Sequence, residues 1–342
     1  MNTKRKIFCL LFAICIVSSS AIAQKVGSTS MQFLRVMPVP RGTALGDAYS
    51  ALSSGAEAVF WNPGGVALVQ NQEFSTTYIN WIFDTRQGAF SYAASLGTFG
   101  AFGVQLQYVD FGQIDEAIWA APYNEQIDNP GLTGNTFRPY SYLAGLTYAK
   151  SLTDKFAFGV SVKYARESLY NDRMVLAHVS STQDEEVKTW ANGLLFDFGI
   201  RYATGFRSIQ IAASVQNFGG NVTYAKESNP VPLLFRWGVA ADLMGKDALL
   251  SINEDNRVTV AFDLFQPNDY DQQEHMGIEY EYAGVLALRA GYKANYDFEG
   301  PTFGAGIKQT FGSVKFSLDY SYGSVGTYLG SVHRIGLGAI IE

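Results

Sequence analysis

The sequence is short of charged residues and of cysteine. Only 16% of its 342 residues are charged, whereas soluble domains average roughly 25%. With 47% hydrophobic residues the chain has ample apolar material, which excludes a disordered protein. The net charge of -6 argues against binding to nucleic acid, which proteins recognise with basic surfaces. Glycine and aromatic residues are abundant instead, with 34 Gly, 24 Phe and 20 Tyr.

The N-terminus has the three parts of a secretory signal peptide. Residues 4–6 are basic, residues 7–17 are apolar, and an A-x-A pattern ends at Ala23, directly before Gln24. We expect cleavage between Ala23 and Gln24. Both cysteines of the chain fall within this leader, so the mature protein has no disulfide or thiol chemistry. An uncleaved membrane anchor is the alternative, although the apolar run is shorter than the roughly 20 residues that a helical span needs.

From residue 72 onward, apolar and polar residues alternate, and no convincing 3.6-residue period is present. In the segment 257–264, Val258, Val260 and Phe262 share one face and polar residues occupy most of the other. Such alternation predicts β-strands, because successive side chains of a strand point to opposite sides. Fourteen segments have this character: 72–83, 86–97, 99–110, 139–150, 155–168, 191–203, 206–218, 232–244, 256–267, 273–282, 285–295, 301–311, 313–322 and 330–341.

The lengths of the strands and connections indicate a membrane barrel. The segments have about 10 to 14 residues, like tilted membrane strands and unlike the five or six residues usual in soluble sheets. Connections after even-numbered strands are short, except 245–255, whereas those after odd-numbered strands include the long loops 111–138, 169–190 and 219–231. This is the pattern of an outer-membrane barrel with both termini on the periplasmic side. We therefore predict an all-β, closed 14-stranded antiparallel transmembrane β-barrel in the outer membrane of a Gram-negative bacterium.

Two other architectures compete with this interpretation. A soluble β-sandwich or propeller also alternates, but its strands are shorter. The uncharged stretch 87–109 has the length of a membrane helix, yet its four glycines and its alternating glutamines fit a hairpin better. Since hydrocarbon admits only helices or closed barrels, the lack of helical spans favours the barrel.

The same alternation predicts which charged side chains face the lumen. Both signs are present, which indicates a structural network of ion pairs, whereas rings of one sign would indicate an ion-selective pore. The predicted inward set is Lys163, Asp197, Arg201, Arg236, Asp242, Arg257, Asp263, Glu279, Glu281, Arg289, Lys293, Lys315 and Asp319.

Residues 24–71 do not alternate and precede the barrel, which spans 72–342. They are too few for an ordinary domain, and their apolar residues favour a partly helical hatch folded into the barrel mouth over a solvated periplasmic tail. We predict a short helix over 43–55 with Thr43 as its N-cap.

This N-terminal segment carries a resemblance to a known family. The motifs are Phe33-Leu34, Pro40-Arg41-Gly42, Ala44-Leu45-Gly46-Asp47-Ala48 and Trp61-Asn62-Pro63-Gly64-Gly65-Val66-Ala67. Followed by an alternating β region, they resemble the PorV/PorQ family of outer-membrane proteins, which belongs to the type IX secretion system and is related in fold to the FadL long-chain fatty-acid transporters. Gly46, Asp47, Trp61, Asn62 and Pro63 form the hatch motif. Two departures are Gly64, where the family more often has Ala, and a C-terminus without an aromatic residue.

The resemblance implies a non-enzymatic role. Family members of the PorV type bind the folded C-terminal signal domain of secreted cargo, receive it from a translocon barrel and deliver it to surface attachment proteins. Trp119, Tyr123, Phe137 and Tyr140 lie in or beside the first long loop and are candidate partner contacts. They are equally suited to packing that loop against the barrel rim.

Two further functions remain open. A FadL-like channel for fatty acids or other hydrophobic solutes needs an apolar pocket and a kinked or open wall, and Gly159, Gly199, Gly238 and Gly291 are candidate kinks. An enzyme is disfavoured, because there is no G-x-S-x-G motif, no dinucleotide fingerprint and no His/Cys cluster at metal-binding spacing. We expect no cofactor, no metal and no catalytic residue.

Overall fold

The computed structural model describes residues 27–117, 131–180 and 183–341, except for the side chains of residues 176–184. Fourteen long strands form one antiparallel barrel, which confirms the predicted fold class and strand count. The barrel strands are Gln72–Asn80, Arg86–Ser95, Ala101–Asp110, Tyr140–Ser151, Phe156–Ser168, Trp190–Ala203, Gln210–Gly219, Leu234–Gly245, Asn256–Pro267, Gln273–Tyr282, Leu286–Ala294, Pro301–Phe311, Val314–Ser324 and Ser331–Ile341.

The sheet closes on itself. Gln72 of the first strand lies opposite Ile341 of the last, and pairing continues to Asn80 opposite His333. Each barrel strand is hydrogen-bonded to both of its neighbours, including the seventh to the eighth. Closure satisfies the backbone groups that an open edge would leave unpaired in lipid.

Alternation places apolar side chains on the outside of the barrel and polar ones inside. Leu106 is 45% and Leu146 60% exposed on the outer face, whereas their neighbours Gln105 and Thr147 are buried. An apolar exterior around a polar interior is the arrangement of a barrel that sits in lipid. The described helices include none that is both long and apolar enough to cross a membrane.

The connections divide the barrel into a short-turn end and a long-loop end. At the long-loop end, three of the predicted loops contain two-stranded hairpins: Ile114–Ala117 with Leu132–Phe137, Met174–Ser180 with Gln183–Lys188, and Val222–Tyr224 with Glu227–Asn229. At the short-turn end, the exceptional connection 246–255 folds back so that the two-residue strand Ser251–Ile252 pairs with the end of the eighth barrel strand.

The N-terminal segment passes through the lumen from one end to the other. The Thr29 hydroxyl donates to Asp269 at the long-loop end, and the Ser30 amide donates to the Pro230 carbonyl there. The chain then descends to Gln72 at the short-turn end. The first barrel strand therefore begins and the last one ends at the short-turn end, as the strand count predicts. The described residues that precede the barrel begin at the opposite, long-loop end.

The predicted helix over 43–55 is also wrong. Gly46 and Asp47 have φ values of 64° and 66°, and two successive left-handed residues end an α-helix. Thr43 lies inside the preceding helix, where its hydroxyl donates to the Val39 carbonyl and caps nothing. The described helical segments are the α-helices Pro40–Ala44 and Gly326–Leu329 and the 3-10 helices Gln32–Arg35, Gly55–Phe60, Pro63–Leu68 and Gly97–Phe99.

Candidate functional site

The Gly46-Asp47 motif fixes the hatch to the barrel wall. A methyl group on Gly46 would lie 2.6 Å from the backbone nitrogen of Tyr292, so only glycine allows this approach. Beside it, the Asp47 carboxylate lies 2.7 Å from the ammonium group of Lys293, which also contacts Glu299 at 2.6 Å. Burial alone would raise the pKa of Asp47, but the Lys293 ammonium outweighs it and holds the pKa below its usual range.

The Trp61-Asn62-Pro63 motif provides a second attachment. Trp61 is fully buried, with its ring edge-on to Tyr49 and the Arg236 guanidinium 5.4 Å from its centroid. The Asn62 side chain accepts a hydrogen bond from the Gly64 amide at 3.0 Å and so caps the 3-10 helix that follows. It also donates to the carbonyl of Ile200 in the wall, at 3.0 Å. Trp61 and Asn62 thus hold this part of the hatch against the barrel wall.

At the four candidate kink glycines, the missing side chain leaves room for an atom of the hatch or of a neighbouring wall residue. A methyl group on Gly291 would lie 2.1 Å from the Gly46 nitrogen, and one on Gly159 would lie 2.3 Å from the Pro63 carbonyl. A methyl group on Gly199 would overlap the Asn62 side chain, and one on Gly238 would overlap the Asp263 side chain and press on Ser50. Strand pairing continues without a register shift through Gly159, Gly238 and Gly291. At these three positions the glycines provide clearance inside a continuous wall.

Many charged side chains of the lumen pair with one another or with the hatch, as predicted for a structural network. Arg289 lies 2.6 Å from both Glu279 and Asp319, and Glu279 also binds Arg41 of the hatch at 2.7 Å. Of the predicted inward set, nine side chains are buried: Lys163, Asp197, Arg236, Asp263, Glu279, Glu281, Arg289, Lys293 and Asp319. The other four, Arg201, Asp242, Arg257 and Lys315, line cavities at the short-turn end.

At the long-loop end, two of the four candidate contact residues support the loop. Phe137 packs edge-on against Tyr170 with ring centroids 4.7 Å apart, and the Tyr140 hydroxyl donates to Asp172 at 2.7 Å. Both side chains are half-buried at the rim. Trp119 and Tyr123 lie outside the described residues, as do the predicted cleavage residues Ala23 and Gln24.

The N-terminal end of the hatch contacts the long-loop hairpins directly, which the sequence patterns did not predict. Phe33 and Leu34 belong to one apolar cluster with Val222 of the third hairpin and Val231 beside it. Arg35 forms an ion pair with Asp269 at 3.3 Å. The hatch and the loop end therefore form one packed unit.

Two of the three histidines make structural contacts. His275 shares a hydrogen bond of 2.7 Å with the Tyr296 hydroxyl, and His333 contacts Tyr320 and Ser331. Within the described ranges, no group of three or more His, Cys, Asp or Glu residues is arranged to hold a metal ion. The side chain of His178 lies outside those ranges.

A family model described as type IX secretion system protein PorV matches residues 19–266, more than half of the chain and all of the hatch motifs. The chain belongs to the PorV family. The resemblance seen in the hatch motifs is thereby confirmed, and the protein is an outer-membrane barrel of type IX secretion.

Solved structures support the fold of this PorV-family barrel. TodX, the toluene transporter of Pseudomonas putida, has a TM-score of 0.55 and 15% identity, over 87% of this chain and 96% of TodX. A deltaS2 mutant of the TodX monoaromatic hydrocarbon channel has a TM-score of 0.50 and 16% identity, over 86% of this chain and 96% of its own. At such identities the likeness shows the fold alone. No curated protein matches the sequence.

Gly291→Ala should loosen the hatch, because the added methyl group would overlap the backbone of Gly46. Overpacking of this kind costs about 1–3 kcal/mol. We expect faster trypsin cleavage after Arg35 and Arg41 in the folded barrel. Gly88→Ala is the matched control, since nothing lies within 4 Å of its added methyl group. Equal cleavage rates in the two variants would contradict the docking role of Gly291.

Hatch stability should depend on pH through Glu57. This half-buried carboxylate accepts a 2.9 Å hydrogen bond from the Tyr49 hydroxyl. Burial and the nearby Asp319 carboxylate, opposed by Arg41 and Arg289, raise the pKa of Glu57 to about 7. The folded state holds this proton more tightly than the unfolded state. The contribution of Glu57 to the free energy of unfolding is therefore lost as pH rises from about 4.5 through 7. The denaturant midpoint of the wild type should be lower at pH 8.5 than at pH 5.5, and this difference should be smaller in Glu57→Gln. An equal difference in the two proteins would exclude Glu57 as the cause.

Proposed function

We propose that this PorV-family barrel is non-enzymatic and binds the folded C-terminal signal domain of secreted cargo at its long-loop end. It then passes the cargo from the type IX translocon barrel to the cell-surface attachment proteins. Family membership supports the secretion role, and the signal peptide ending at Ala23 would deliver the chain to the outer membrane. The observation that carries the proposal is the presence of three hairpins that project from one end of a plugged barrel.

The hairpins are anchored well enough to present a defined surface. Arg138 at the base of the first hairpin forms an ion pair with Asp110 of the barrel. The Tyr224 hydroxyl of the third hairpin donates to Glu167 at 2.6 Å. Loops held on a rigid scaffold are the usual place for protein-binding surfaces.

Within this surface, the candidate aromatic residues divide into two roles. Phe137 and Tyr140 make contacts to Tyr170 and Asp172 within the rim, so we assign them to loop support. Trp119 and Tyr123, which lie in sequence between the two strands of the first hairpin, are the residues that we propose to contact cargo. Aromatic anchors of this type dominate the binding energy of many interfaces.

The contents of the lumen favour a role at the surface over transport through the barrel. Trp61 is fully buried at the centre of the hatch, and the ion pairs of Arg289 occupy the space beside Arg41. A transporter of fatty acids or other hydrophobic solutes would need an apolar path, whereas the cavity beside Arg201 at the short-turn end is lined largely by polar and charged side chains. FadL-like transport remains the second candidate because the fold is shared with the toluene transporter TodX.

Binding can be measured with the purified full-length barrel in lipid nanodiscs and an isolated cargo C-terminal domain. Trp119→Ala and Tyr123→Ala should each weaken binding by at least about tenfold, as expected for hot-spot aromatics. Phe99→Ala is the control, because Phe99 is 75% exposed at the opposite, short-turn end. Cargo binding that is absent, or equally affected by all three variants, would contradict the proposal. Loss of growth on long-chain fatty acid after gene deletion, with secretion intact, would support the transporter instead.

A further inference from the structure

A cationic cavity of about 300 Å³ opens at the short-turn end, on the opposite side of the hatch from the hairpins. Its position follows from the strand ends: Arg201 and Asp242 lie close to where their strands finish, and Arg257 lies where its strand begins. The lining contains four basic residues and one acidic residue. These are Arg41, Arg201, Arg257, Lys308 and Asp242, together with Leu52, Ser54, Gln210 and Thr259.

Three of the four cations already have carboxylate partners. Arg257 lies 3.0 Å and Lys308 2.7 Å from Glu281, and Arg41 binds Glu279. These three cations are therefore balanced by carboxylates of the protein itself.

Arg201 differs from the other three. In the described parts of the chain it has no carboxylate within 4 Å. Its Nε donates to the Ala51 carbonyl at 3.2 Å, and its Nη2 donates to the Gln210 side-chain oxygen. The Nε of Arg257, in the same cavity, is buried without a hydrogen-bond partner. The cavity thus holds one uncompensated guanidinium and one unused donor.

We propose that this cavity binds a carboxylate ligand from the periplasmic side, with Arg201 as its anchoring cation. A guanidinium presents paired N–H groups that match a carboxylate, and such charge-assisted bonds are stronger than neutral ones. A cavity of this volume lies at the small end of ligand sites. It suits the carboxylate of a glutamate or aspartate in a peptide segment, or that of a free dicarboxylate. The site is independent of cargo binding at the other end of the barrel.

Calorimetry on the full-length barrel in nanodiscs tests the proposal with three probes: succinate, a Gly-Glu-Glu-Gly peptide and inorganic phosphate. We expect saturable binding of a carboxylate probe that weakens as salt is added, because the contact is ionic. Arg201→Gln should weaken it by about tenfold or more, the usual effect of losing a hydrogen bond to a charged group. Arg207→Gln is the matched control, since Arg207 is a half-exposed arginine of the same end that does not line the cavity.

Gln210→Glu provides a second variant, in which the new side chain has nearly the same size and shape as the old one. The new carboxylate would lie against the Nη2 of Arg201 and form an ion pair with it. The affinity for the carboxylate probes should therefore fall while the barrel stays folded. Equal affinities for peptide and succinate would identify a site for free dicarboxylates, and preference for the peptide would identify a protein segment. No saturable binding of either carboxylate, tighter binding of phosphate, or equal effects of Arg201→Gln and Arg207→Gln would overturn the proposal.

Discussion

The docking of the hatch into the barrel is the contact on which the rest of the structure depends. A barrel that shows apolar side chains to lipid has polar ones inside, and buried polar groups are stable only with partners. Here the hatch supplies them: Asp47 pairs with Lys293, Arg41 pairs with Glu279, and the Asn62 amide bonds to the Ile200 carbonyl. Breaking a buried pair by removing one member typically costs 3–5 kcal/mol.

Docking of the hatch needs space for its backbone beside the wall as well as the ion pairs. The hatch backbone approaches the wall at Gly291 and Gly159 so closely that a methyl group at either position would overlap it. Because the hatch fills the lumen from Asp269 at one end to Gln72 at the other, the free surfaces lie at the barrel ends. The hairpins occupy one end, and the cationic cavity around Arg201 occupies the other.

Much of this fold could be predicted from the sequence, because the decisive signal was local. Period-two alternation placed most barrel strands within one or two residues, as for 256–267 and 273–282. It also identified the inward charges. The seventh strand begins later than predicted, at Gln210, because a turn with a left-handed Arg207 precedes it.

The hatch was predicted less well, because its conformation is set by contacts distant in sequence. Alanine and leucine in the segment 43–55 favour a helix, but the contacts of Gly46 and Asp47 with the strand that holds Lys293 impose left-handed backbone there. The glycines at 159, 199, 238 and 291 are candidate kinks by sequence, but the sequence does not show what lies opposite them. All four lie on the inward phase of their strands, where missing side chains leave room for another segment.

The central claim is that the hatch is a fixed part of the barrel interior. Hydrogen–deuterium exchange of the intact protein in lipid, followed residue by residue, tests it most directly. If the hatch is locked by these contacts, the hydrogen-bonded amides over residues 40–68 should exchange as slowly as those of neighbouring barrel strands such as Phe156–Ser168. Exchange of these amides at the rate of an unstructured chain, with the strands still protected, would contradict the claim.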